Sequence, residues 1–144
     1  MSSNNGSNQY SMLQFDSTNV LRYYDYTSTF QTHLKTNRVF RDTSAWYHIV
    51  VAYDSAQSTA ADRMKIYVNG TQETSFGTSS YPSQDYDSFM NLSGVPHYIG
   101  RETGTGSLYD GVMSHVHFTD GYAYAASDFG STDATTGEWK IKLS

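Results

Sequence analysis

Residues 46–72 constrain the fold of this chain more than any other stretch. Trp46 to Tyr53 reads WYHIVVAY, with Trp46, His48, Val50 and Ala52 on one parity and Tyr47, Ile49, Val51 and Tyr53 on the other. Both parities are largely apolar, which predicts a central strand covered on both faces, with Trp46 in the core. A polar loop, Asp54 to Asp62, follows. Met64 to Val68 then alternates strictly, Met64, Ile66 and Val68 against Lys65 and Tyr67, as a half-buried strand does. Asn69-Gly70 supplies the dipeptide that type I′ hairpin turns favour, because both central residues need positive φ. Thr71 to Phe76 is expected to return as the partner strand. A chain containing this unit must build antiparallel sheet.

The remaining sequence extends the pattern. Residues 1–8 are polar and rich in Gly, Ser and Asn, and are expected to form a flexible leader ahead of one domain, residues 9–144. Tyr10, Met12, Leu13 and Phe15 open a first strand. Val20 to Tyr26 and Thr29 to Leu34 give two more, separated by polar pairs as in a meander. Residues 77–96 are expected to form one long loop holding both prolines, and a loop of that length is more often functional than accidental. His97 to Gly100 resumes a strand, Gly104 and Gly106 mark a turn, and Gly111 to Phe118 (GVMSHVHF) is expected to form the next strand. Asp120-Gly121 is a turn signal. Ser127 is expected to cap a short helical turn that Gly130 stops. Trp139 to Leu143 closes the chain as an edge strand, with Trp139 covering the edge and Lys140 and Lys142 protecting it. Short strands at regular spacing with turn residues between them indicate an all-β antiparallel β-sandwich.

Composition narrows the function classes. The net charge is −5, and the nine Lys and Arg residues are scattered, which disfavours a phosphate-binding groove for nucleic acid. There is no cysteine, hence no disulfide, thiolate metal site or Cys nucleophile. No apolar run approaches the roughly 20 residues of a membrane-spanning helix, so membrane insertion is not expected. Nor does residues 1–8 contain the apolar stretch of a signal peptide. The many Tyr, Thr, Ser and Asn residues suit pleated, half-exposed surfaces.

Two segments carry a family resemblance. Arg41 to Gln72, RDTSAWYHIVVAYDSAQSTAADRMKIYVNGTQ, resembles laminin G-like domains of the concanavalin A-like lectin/glucanase superfamily. Gly111 to Lys142, GVMSHVHFTDGYAYAASDFGSTDATTGEWKIK, resembles tail-fibre-like structural proteins of marine phages that carry such a domain, and YPSQDYD and HYIGR between them are similar to the same group. The resemblance covers Phe40 onward and implies a concanavalin A-like jelly roll. It also implies a virion location, on a particle assembled in the host cytoplasm, with other virion chains as partners. Members usually carry further N-terminal strands, so this jelly roll is expected to lack its first strands. A missing strand bares a sheet edge, and unpaired backbone favours association, so a homo-oligomer or docking to a neighbouring virion subunit is expected.

Retaining glycosidases need two carboxylates about 5–5.5 Å apart. Glu73, Glu102 and Glu138 are isolated in sequence, and Asp85-x-Asp87 is the sole close acidic pair, so an enzyme is not expected. There is no Gly-x-Ser-x-Gly elbow, and Gly104-Thr105-Gly106 lacks the helix and Lys of a phosphate cradle. His115 and His117 point to one face of a strand and could begin a zinc site, with Asp120 or His97 approaching. No cofactor is expected apart from calcium, which rim loops can hold through Asp and carbonyl oxygens; Asp54, Asp62 and Asp110 are the candidates. Glycan binding fits best, through Tyr81, Gln84, Asp85, Tyr86 and Asp87, which combine stacking rings with hydrogen-bonding groups. Tyr23, Tyr24 and Tyr26 offer a second platform, and Tyr122 with Tyr124 a third. The sequence thus points to a non-catalytic binding module for host-surface polysaccharide or a neighbouring virion protein. Its rival is a decoration or oligomerisation domain with no ligand.

Overall fold

In the computed structural model, which describes residues 1–6, 8–102 and 107–142, the chain forms an antiparallel β-sandwich. Its larger layer has six strands in the order β8-β4-β3-β2-β1-β9. These are β1 (Ser2–Asn4), β2 (Gln9–Phe15), β3 (Val20–Thr27), β4 (Phe30–Val39), β8 (Phe76–Ser80) and β9 (His97–Tyr98). A second layer holds β5 (Ile49–Tyr53), β6 (Met64–Val68) and β7 (Thr71–Gln72). A short helix α1 (Ala126–Phe129) leads into a terminal hairpin of β10 (Gly130–Thr132) and β11 (Trp139–Ile141).

The core forms where the two alternating patterns meet. Leu21, Tyr23 and Leu34 of the larger layer pack on Met64 and Ile66 of the smaller, with Leu13, Ile49, Val51 and Tyr53 around them. The Asn69-Gly70 turn takes positive φ at both residues, 49° and 78°, as the dipeptide requires. Gly70 is also needed for space, because a Cβ there would lie 2.2 Å from the Trp139 ring. The return strand is shorter than expected. It ends at Gln72, and the chain crosses to the other layer, where Arg38 pairs with the buried Glu73 and β8 joins β4.

Several expectations change. The leader is not free of the sheet: Ser2–Asn4 pairs with both β2 and β9, and Ser2 and Ser3 are fully buried. Its polar side chains hid a strand whose stability lies in two backbone ladders. Trp46 is 67% exposed rather than in the core, and β5 begins only at Ile49. Among the described residues β5 pairs on one side only, with β6, so it is not central. Gly111–Phe118 forms no strand and is exposed throughout. Residues 77–96 are not one loop, since β8 runs to Ser80 and a 3-10 turn occupies Phe89–Asn91. The terminal helix starts after Ala125, not Ser127, and the Asp128 side chain accepts from the Ala125 N–H (2.8 Å). Lys140 and Lys142 are tied to Asp133 (2.5 Å) and the Ser127 carbonyl (2.8 Å). The expected turn at Gly104 and Gly106 lies outside the described residues.

One row across the larger layer is polar. Ser3, Ser11, Asp25 and Thr32 are register partners on β1 to β4, all without exposed surface. Asp25 Oδ1 accepts from Ser11, from Ser88 Oγ (2.6 Å) and from the Tyr23 hydroxyl (3.2 Å); Oδ2 accepts from the Tyr53 hydroxyl (3.4 Å). Four hydroxyls satisfy one buried carboxylate, the condition under which such burial is tolerated.

Candidate glycan-binding face

The 81–87 loop is clamped rather than open. The Tyr81 ring packs on the core and Pro82 is fully buried. Arg63 donates to the Pro82 carbonyl (2.9 Å), Gln84 Nε2 to the Ala56 carbonyl (3.2 Å) and the Asp85 N–H to the Ser55 carbonyl (3.0 Å). Tyr86 is half-buried, its hydroxyl is enclosed, and burial beside Asp25 pushes its pKa up to about 12. Gln84, Asp85 and Asp87 are exposed, but the two rings that were to stack on a sugar face inward or are half covered.

The acidic candidates separate. Asp54 and Asp62 line one recess of about 440 Å³ on the outer side of β5 and β6, with Tyr67, Tyr124 and the small side chains Ala52, Ala123 and Ala125. Asp54 is engaged by the Ala56 N–H (3.2 Å) and Gln57 Nε2 (2.6 Å), and Asp62 by Lys65 Nζ (2.9 Å). Asp110 is exposed and lies outside that recess. Among the described residues, no three of His, Asp and Glu gather as a metal site. His115 bonds Ser114 Oγ (2.5 Å), Asp120 accepts from Asn91 (2.7 Å), and His97 Nε2 meets the Met90 carbonyl (2.8 Å).

A different surface assembles rings and polar groups together. Alternation on β2, β3 and β4 turns Ser11, Leu13, Tyr23 and Leu34 inward, and therefore Tyr10, Arg22, Tyr24, Tyr26 and His33 outward. An irregularity in the β3–β4 pairing brings Phe30 opposite Tyr26. The rings are continuous: Tyr10 meets Tyr24 (5.9 Å) and Tyr26 (5.2 Å), Phe30 meets Tyr24 (5.6 Å) and Tyr26 (5.3 Å), and His33 stacks on Phe30 (4.3 Å). Phe30 is 49% exposed at the centre of this group. Arg22 lies over the Tyr24 ring, 4.9 Å from its centroid, and the Gln14 amide lies beside its guanidinium; with the amide turned so that its oxygen faces Arg22, that oxygen accepts from Nε (2.7 Å) and Nη2 (2.5 Å). Burial pushes Tyr24 up to about 12. Burial, then the charges of Arg22 and Lys35, hold His33 below the usual imidazole range, and its Nε2 is enclosed.

A family model, Laminin_G_3 of the concanavalin A-like lectin/glucanases superfamily, matches residues 1–128, most of the chain. The chain belongs to this family. No curated protein and no solved structure matches it. The match begins at residue 1, so it takes in β1, and it ends before the β10–β11 hairpin. Within this concanavalin A-like domain, the expected platform of Tyr23, Tyr24 and Tyr26 is split: Tyr24 and Tyr26 lie on the outer side of β3, and Tyr23 points into the core. The expectation missed Tyr10, Arg22, Phe30 and His33. The signal that could have found them is parity combined with register: Tyr10 and Phe30 lie opposite Tyr26, and His33 opposite Tyr24, only once the pairing of three strands is known.

Proposed function

We propose that this concanavalin A-like domain is a non-catalytic binding module of a phage virion, part of a tail-fibre-like structural protein, that recognises host-surface glycan. The observation that carries the glycan reading is the outer face of β2–β4. Sugar rings stack on aromatic faces through their C–H edges, while their hydroxyls need fixed donors and acceptors. Phe30 supplies the exposed ring, and Arg22, held by Gln14, supplies the polar group at its border. Pre-bracing lowers the entropy lost on binding. The likeness of Gly111 to Lys142 to phage structural proteins supports the virion part. The non-catalytic part rests on the carboxylates: Glu73 is buried against Arg38, and among the described residues Glu102 is the one carboxylate whose charge acts on both Tyr10 and Tyr24. In this reading binding needs no metal.

A glycan array on the purified protein tests the proposal. Phe30→Ala and Arg22→Ala should each weaken binding at least about tenfold, roughly 1.4 kcal/mol, and Gln84→Ala should leave it unchanged. A blank array overturns the glycan reading. Binding that survives Phe30→Ala but is lost in Gln84→Ala returns the site to the 81–87 loop. Release of reducing sugar from a bound glucan would overturn the non-catalytic part. A second reading, a structural domain that assembles with its own copies, is favoured by one observation: residues 107–122 are all exposed, although they include Leu108, Val112, Met113, Val116, Phe118 and Tyr122.

A further inference from the structure

That exposed run has three properties that converge on Gly111–Phe118. It exposes four large apolar side chains in eight residues: Val112 (74%), Met113 (45%), Val116 (49%) and Phe118 (52%). Monomeric proteins seldom leave such a contiguous strip in water. Its backbone is open: among the described residues, no main-chain hydrogen bond is made by residues 110–124. Within it one non-glycine residue, His115, takes φ +51° in the left-handed region that favours glycine. Apart from that residue, the segment has the composition of a strand, with Val112, Val116 and Phe118 on one parity and Met113, His115 and His117 on the other.

We propose that Gly111–Phe118 pairs antiparallel with the same segment of a second copy about a two-fold axis. This rests on the self-assembling reading above and names the surface responsible. Three arguments select a second copy. An antiparallel ladder is the arrangement in which a single free segment is its own partner, because a two-fold maps each residue onto a partner across the axis. The chain carries a net charge of −5, so two copies repel over most of their surface, yet residues 111–118 contain no Asp, Glu, Lys or Arg. Asp110 and Asp120 border the segment, and charges at such borders limit how far a ladder propagates, favouring a pair over a fibre. Pairing takes His115 to negative φ, covers Val112, Val116 and Phe118, and supplies the missing backbone partners.

The full chain in light scattering should show a dimer at tens of micromolar, and Val116→Asp should convert it to a monomer with unchanged circular dichroism. Because the chain has no cysteine, single Cys substitutions along 111–118 report the register directly. Oxidative cross-linking between copies should peak at the centre, Ser114→Cys or His115→Cys, and fall toward Gly111→Cys and Phe118→Cys. A monomer at every concentration overturns the proposal. So does a dimer that survives Val116→Asp, or cross-linking uniform along the segment; in these two cases self-assembly stands and only the named surface fails. Glycan binding by a Val116→Asp monomer separates this test from that of the ring face.

Discussion

Asp25 has no exposed surface, and its charge is met by hydroxyls alone within the described network: Ser11, Ser88, Tyr23 and Tyr53. Removing one member of a buried network costs more than the net strength of one hydrogen bond, because the partners lose an acceptor that water cannot replace. Asp25→Leu strands these donors beside an isosteric apolar group and should cost about 3 kcal/mol. Asp25→Asn keeps one carbonyl acceptor and should cost about half as much. Urea unfolding at constant m-value measures both; a Leu variant as stable as the parent would show that the network adds nothing. This cluster was invisible in the sequence. Ser11, Asp25 and Thr32 lie in three segments, and only the register makes them neighbours.

The terminal hairpin is fastened to the second layer through one pair of rings. Trp139 of β11 stacks on His48 at 5.8 Å and donates its indole N–H to His48 Nδ1 (3.0 Å). Burial, then the nearby His117, hold the His48 imidazole below its ordinary 6.5. The sign follows directly. As pH falls through 6.5 the unfolded chain takes up a proton that the folded chain resists, so stability present above 6.5 is lost as pH falls toward the folded value. Protonation also removes Nδ1 as an acceptor. The unfolding midpoint should therefore drop between pH 7.5 and pH 5.5, and His48→Gln should flatten that dependence, though not abolish it, since His33 is shifted in the same direction. Equal slopes in parent and variant would exclude the clasp. Elements whose identity depends on local alternation were legible in advance: MKIYV is buried at Met64, Ile66 and Val68, and Asn69-Gly70 turns as its φ angles demand. Elements defined by partners were not. GVMSHVHF reads as a strand much as MKIYV does, yet among the described residues it has no ladder; Ser2–Asn4 shows no apolar alternation, yet it has two.

Across the molecule, the sandwich class could be read from strand spacing and turn residues, and the surface that carries its proposed function could not. Tyr10, Tyr24 and His33 become neighbours only by lateral pairing, and local sequence does not encode lateral order. The same pairing leaves the tyrosines in two populations. Burial and the proximity of Asp25 raise Tyr23 and Tyr53 far above the range of a solvated phenol, whereas burial sets Tyr24 and Tyr86 at about 12. A phenol raised in the folded state costs stability as pH climbs past its unfolded value near 10, because only the open chain releases that proton freely. The near-ultraviolet tyrosinate signal of this 13-tyrosine chain should thus rise first gradually, as exposed rings ionise, and then in a cooperative step that coincides with loss of circular dichroism. A single smooth curve through both would mean the inner phenols are open to solvent. If the step is there, its height counts the molecules whose layers have parted. The carboxylate at the centre of the sandwich would then give the protein a label-free optical gauge of its own opening.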